Sequence, residues 1–190
     1  LLGAVLLTLF APAGGAGGHK ATDDKGATFR WDIVSIDFAA GTVNPGGVAA
    51  SLAHDGSQIV LTGTGTFRVD HPKQVTGGGT WQTFSAGGAP TGSGTFEVTR
   101  LVDFELAPGT LPPLTDNIGN AADARAGLVH LQIAYSDGSR GVFVISCHLV
   151  GSPDSMYEGV TASKGVVDYF NRLQPIPGVD ANRNVFHVVP

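Results

Sequence analysis

One five-residue phrase, Gly-x-Gly-Thr-aromatic, occurs three times within 34 residues of the chain, as Gly63 to Phe67, Gly77 to Trp81 and Gly92 to Phe96. Successive copies start 14 and 15 residues apart. In a β-strand alternate side chains share a face, so each copy presents two bare glycines and a ring on one side and its threonine on the other. Rings on one strand can cover the naked backbone of the next, a known way of protecting strand glycines. The phrase does not serve as a phosphate loop. A dinucleotide fingerprint needs a third glycine before a helix, a P-loop needs Gly-Lys-Ser/Thr, and neither is present. It therefore reads as a building device for a curved sheet.

The rest of the chain supports an all-β reading. Val48, Ala50 and Leu52 alternate, Asp55-Gly56 follows, and Ile59, Leu61, Phe67 and Val69 alternate beyond it. A two-residue Asp-Gly turn of type I′ predicts a hairpin in which Leu52 faces Ile59 and Ala50 faces Leu61. Leu128 to Tyr135 and Val142 to Val150 predict a second hairpin. Their apolar faces match only if the loop holds an odd number of residues, as Asp137-Gly138-Ser139 with a bulge provides. The segment from Thr28 to Phe38 is a strand whose apolar phase changes after Ile33, which suggests a bulge near Val34-Ser35. A short strand is expected over Thr80 to Phe84. The third copy opens a long strand with Phe96, Val98, Val102, Phe104 and Leu106 on one face, and strict alternation puts Arg100 among them.

Ala107 to Asn120 carries Pro108, Gly109, Pro112, Pro113 and Gly119 and must be irregular. Leu111 and Leu114 are expected to pin it to the body, and Ala121 to Ala126 to make one helical turn. Met156 to Lys164 reads as a strand, Val166 to Leu173 as a strand or short helix, and Val185 to Val189 as a last strand closing a sheet edge. The sum is one antiparallel domain of roughly eight to ten strands, with a β-barrel slightly preferred over a two-layer β-sandwich.

Composition limits the function. Of 190 residues 42% are hydrophobic and 14% charged, and the net charge is −5. Eleven lysines and arginines, nowhere clustered, give no basic footprint for nucleic acid. Leu1 to Phe10 is apolar and is followed by Ala11-Pro12-Ala13 and a glycine run, which predicts a remnant of a secretory signal peptide over residues 1–18. Ten apolar residues are too few to span a bilayer, which takes about 20. Residues 19–26 are expected as a flexible lead-in and 27–190 as the single β domain. The expectation is of a bacterial exported protein, secreted or periplasmic, with no transmembrane segment in the mature chain. Cys147, the single cysteine, alternates with Ile145 and Leu149 and reads as a small buried hydrophobe.

Chemistry has few footholds. No His-x-His, His-Glu-x-x-His or cysteine cluster points to a metal, no cofactor motif is present, and no Gly-x-Ser-x-Gly elbow marks a serine nucleophile. His130 and Gln132 share one strand face, and the odd-loop hairpin is expected to set Ser146 and His148 opposite them, in a pocket if that face lines an interior. Arg100 needs a partner or a bound anion. These five residues, Arg100, His130, Gln132, Ser146 and His148, are the candidate ligand-binding set. Asp103 and Glu105 share a strand face about 7 Å apart, as glycosidase carboxylates can, though a solvated polar face explains them. Tyr157 to Lys164, with Asp168, Tyr169, Asn171 and Arg172, is the densest mix of functional groups and a candidate site rim. The first functional expectation is a non-enzymatic exported domain that binds a small molecule or a partner. The alternatives are an enzyme with a pocket lined by His130, Gln132, Ser146 and His148, and an assembly protein pairing through sheet edges.

Overall fold

The structure is a computed structural model that describes Asp24, residues 26–173 and residues 182–190. The expected signal remnant at 1–18 and all but Asp24 and Gly26 of the lead-in lie outside these residues. Asp24 is tied to the body, since the Arg125 Nε donates to its carboxylate at 3.0 Å.

Fourteen strands form one sheet, and six of them close a barrel. In chain order the strands are β1 (Thr28–Asp37), β2 (Thr42–Pro45), β3 (Ala49–Leu52), β4 (Gln58–Leu61), β5 (Thr64–Arg68), β6 (Val75–Phe84) and β7 (Pro90–Ala107). They continue as β8 (Thr115–Asp116), β9 (Ala124–Tyr135), β10 (Arg140–Cys147), β11 (Gly159–Lys164), β12 (Val167–Tyr169), β13 (Asn171–Arg172) and β14 (Arg183–Val189). A single 3-10 turn, Ala121–Asp123, precedes β9 where a helical turn is expected, capped by the Asn120 side chain. The closed ring runs β1-β5-β6-β7-β9-β14 and back to β1, every pair antiparallel. It closes through just two residue pairs, Phe186 with Arg125 and His187 with Ala124, because β10 takes over that edge of β9 from Gly127 onward. The last strand is thus the closing stave of the barrel, where a strand closing a sheet edge is expected.

The repeated phrase explains how the wall curves. Its second and third copies pair with each other in reverse: Trp81 lies opposite Gly94, Phe96 opposite Gly79, and Thr80 opposite Thr95. Each ring thus covers a glycine in the other copy. The first copy is covered from elsewhere, since Trp31 on β1 stands opposite Gly65 and its indole lies against Gly63 and Gly65. At the crossing of β5 and β6 the backbones nearly touch. A β-carbon on Gly77, whose φ is +100°, would fall 2.2 Å from the Thr64 carbonyl oxygen. Only glycine permits that approach and that dihedral. On the outer face the threonines pair, Thr62 with Thr80 and Thr66 with Thr76, each at 2.7 Å.

The rings build two aromatic clusters. Phe29, Phe67, Phe104 and Phe186 pack with centroids 4.7 to 6.2 Å apart. Trp31, Phe143, Phe96, Tyr135 and Trp81 form a chain of contacts beside them. At its end the Lys164 ammonium sits 4.2 Å from the Trp81 ring centroid and pairs with Asp137.

Three hairpins share one turn. Ala53 donates to Ser57, Ser85 to Ala89 and Tyr135 to Ser139, each across three loop residues that end in a glycine at φ +80° to +87°. The β9-β10 loop has the odd number of residues expected, but it is Ser136-Asp137-Gly138 and not Asp137-Gly138-Ser139, which puts Leu131 opposite Phe143 and Val129 opposite Ile145. The same turn corrects the first hairpin. The loop is His54-Asp55-Gly56 and not Asp55-Gly56, so the register slips by one residue and β3 turns its other face to Ile59 and Leu61, which stay buried. Ala49 and Ser51 face Leu61 and Ile59 in the core, and Val48 is outside. Ser51 could not be read as a core residue from hydrophobic alternation.

Two more corrections have the same kind of cause. β7 carries irregularities between Val98 and Arg100 and between Leu101 and Asp103. Each shifts the phase, so Phe96, Val98, Leu101 and Phe104 point inward while Val102 and Arg100 are exposed. Conversely, β1 keeps an unbroken register with β14, and on its other side it passes from β5 to β2 at Ile33. Its phase change is no bulge: Ile33 and Val34 are both buried because a second layer covers the outer face.

Candidate functional site

That second layer is the proline-rich segment 108–120, which crosses the outer face of β1 and β14 as a strap. Leu111 and Leu114 pack against the core, as the sequence predicts. The strap is pinned at both ends. Thr110 and Val150 exchange backbone hydrogen bonds at 3.0 and 3.2 Å, and Ser152 Oγ donates to the Pro108 carbonyl. At the other end β8 runs parallel to β2, and Asp116 holds the His187 ring at 2.7 Å with both side chains 2% exposed. The same carboxylate accepts from the Ile118 and Gly119 amides.

Between these anchors the strap does not seal against the barrel. A cleft of about 210 Å³ remains. Its floor is Val34 and Ile36 of β1 with Val185 of β14, its roof is Leu111, Pro112 and Leu114, and Leu149 and Val150 close one side. Cross-strand register explains the floor. Val34 pairs with Arg183 and Asp32 with Val185, so Arg183 and Val185 share the outer face with Val34.

The cleft has one polar end, formed by Glu158, Arg183 and His148. Glu158 is fixed by two short backbone hydrogen bonds: the His148 amide donates to Oε2 and the Asn184 amide to Oε1, both at 2.6 Å. Burial pushes its pKa up to about 8 against the pull of those two amides and of the Arg183 charge. Arg183 lies with its guanidinium 5.5 Å from the Phe38 ring centroid. Its Nε is buried without a hydrogen-bond partner, and among the described residues it forms no ion pair. Behind this end, Cys147 is fully buried and its Sγ donates to the Asn184 carbonyl at 3.2 Å. Burial, with the Glu158 charge nearby, holds the thiol well above its ordinary pKa, so it is packing and not a nucleophile.

The five residues singled out from the sequence fall into separate places. Arg100 and Gln132 are cross-strand partners on the outer face of β7 and β9, with His130 opposite Asp103 on the same face. His130 is half-buried with Nδ1 unpartnered, while Gln132 and Arg100 are exposed. Arg100 borders a shallow depression with Asp70, His71 and Lys73. The residues opposite His130 and Gln132 on β10 are Val144 and Val142, so Ser146 and His148 do not join them as expected. Ser146 is buried and donates to the Tyr157 carbonyl at 2.6 Å. His148 alone of the five lines the cleft.

Glu158 falls within the stretch from Tyr157 to Lys164 that the sequence marks as a candidate rim. Arg183 carries a weaker signal, its alternation with Val185 at the start of the last strand. No group of three or more His, Cys, Asp or Glu side chains that could hold a metal occurs among the described residues, and no helix among them is long and apolar enough to cross a membrane. No family model, curated protein or solved structure matches the chain.

Proposed function

We propose that this β-barrel domain is a binding module for a small, largely apolar molecule, seated in the cleft between the strap and the β1-β14 face, and that it works outside the cytoplasm. One observation carries the reading: an apolar cleft ends in a partly buried carboxyl group and a guanidinium that has no ion pair among the described residues. Apolar lining with a few convergent polar groups is the usual make-up of ligand sites. At about 210 Å³ the cleft is below the ~300–1,000 Å³ of drug-sized sites, so the occupant is small. The export half of the proposal rests on the apolar start of the chain and its small-residue run.

Hexan-1-ol, a small neutral probe, tests the cleft. It should produce saturable shifts in the methyl resonances of Val34, Val43, Leu111 and Leu114 and leave Ile133, in the barrel core, unmoved. Shifts that do not saturate, or that spread over the whole molecule, reject the reading. Fractionation of cells producing the full chain tests export. Recovery of the protein with its N-terminal apolar segment intact in the cytoplasm refutes that half.

A further inference from the structure

The polar end of the cleft is unevenly equipped, and the imbalance specifies a head group. Among the described residues, the charged neighbours on every wall are accounted for. Arg30 and Asp32, farther along the β1 floor, pair with each other at 2.8 Å. Asp116 of the strap and His187 of β14 pair at 2.7 Å, and the strap brings only Leu111, Pro112 and Leu114 to the cleft itself. From β10 and the residues after it come the buried neutral thiol of Cys147 and the His148 side chain. Each Glu158 oxygen already accepts one backbone amide. What remains is a guanidinium with no counter-ion beside a carboxyl in apolar surroundings.

Resting on the binding reading above, we infer that the cleft takes small apolar monocarboxylates, the carboxylate seated on the Arg183 guanidinium and accepting a hydrogen bond from the protonated Glu158 carboxyl. Charge balance argues for this occupant. With Glu158 protonated, Arg183 is uncompensated, and a single negative charge on the ligand restores neutrality; arginine also matches a carboxylate with two parallel donors. An ammonium head would meet Arg183, and an alcohol would leave it unpaired. Burial raises Glu158 to about 8, so the proton it must supply is present at neutral pH. Above that pH, Glu158 ionises, neutralises Arg183 itself and repels the ligand unless one proton is taken up from solvent. Binding of the anion is therefore linked to protonation of Glu158.

Calorimetric titration of the full chain with sodium hexanoate, against hexan-1-ol and hexylamine, tests the inference. At about pH 6, hexanoate should bind roughly tenfold or more tighter than either comparator, and at about pH 9 it should weaken by roughly tenfold, following the one-proton linkage. Titrations in two buffers of different ionisation enthalpy should show proton uptake at the higher pH and none at the lower. Arg183→Gln should erase the preference for hexanoate over hexan-1-ol. Glu158→Gln should keep the preference and lose the pH dependence. Should that variant fail to fold, proton uptake by the wild-type chain and the Arg183→Gln result still decide the matter. Equal binding of hexanoate and hexan-1-ol at both pH values overturns the carboxylate inference and leaves the binding reading standing. If none of the three probes binds, the binding reading itself fails. Hexanoate affinity that falls as protein concentration rises assigns the cleft to a second copy of the chain and overturns the inference.

Discussion

The wall built by β5, β6 and β7 and the cleft on the far side of β1 treat leftover groups in opposite ways. In the wall, Trp81 and Phe96 cover each other's glycines, and the indole N–H of Trp81 donates to the Thr95 carbonyl at 3.1 Å. Thr62 bonds Thr80, Thr66 bonds Thr76, and Thr91 bonds Thr83. In the cleft, Arg183 has no ion pair among the described residues, while the partly buried Glu158 is held by two backbone amides. A desolvated polar group costs free energy unless it is partnered, so folding alone gives no reason to keep Arg183 where it is. The contrast separates scaffold from site: a repeated motif whose groups satisfy one another is architecture, and a guanidinium left without a counter-ion among the described residues is where a ligand belongs.

The sharpest way to break the wall is at Gly77. Gly77→Val brings a β-carbon against the Thr64 carbonyl at a φ of +100°. Strain of about 1–3 kcal/mol and overpacking of about 1–3 kcal/mol add to a loss of roughly 2–6 kcal/mol in urea unfolding. Next comes Trp81→Ala, which uncovers Gly92 and Gly94 and removes the ring under Lys164. It should cost about 3 kcal/mol with the m-value unchanged.

The cleft answers to pH, and in the opposite sense to the barrel mouth. Folded Glu158 keeps its proton up to about pH 8, whereas the unfolded carboxyl releases it near 4.5. The folded state binds more protons between those values, so stability should fall as pH rises through that window and then level off. Thermal unfolding of Glu158→Gln should lack the decline. Asp137 runs the other way. Lys164 and Ser139 hold its carboxyl down to about 2 from an ordinary 3.8, so its contribution is present above pH 3.8 and disappears as pH falls toward 2. Asp137→Asn should remove that acid-side loss and leave the Glu158 window untouched. The smallest effect is expected at the outer threonine ladder, where Thr80→Ala should cost only about 0.5 kcal/mol.

Several features could be read directly from residues. The glycine phrase with its rings foretold a curved sheet, and the facing apolar runs of β9 and β10 foretold a loop of odd length, though one residue later than the Ser136-Asp137-Gly138 loop observed. Both depend on near neighbours in the chain, where side-chain period and turn geometry act together. Arg100 was misplaced because the irregularity in β7 between Val98 and Arg100 turns it from the apolar face to solvent, and alternation cannot register an inserted residue. The first hairpin slipped because Asp55-Gly56 fits both a two-residue turn and the end of a three-residue loop. Ser51, small enough to sit in the core opposite Ile59, gave no apolar signal against the wrong choice.

By itself, the sequence determined an all-β chain, a curved wall of glycines and rings, and an irregular proline-rich segment anchored by Leu111 and Leu114. Tertiary structure decided that β14 closes the barrel, that Val34 is covered as well as Ile33, and that Glu158 and Arg183 meet at the end of one cleft. The physical reason is range. Periodicity and turn chemistry act over a few residues, but that cleft joins residues from Val34 to Val185, which only the closure of the ring and the docking of the strap bring together.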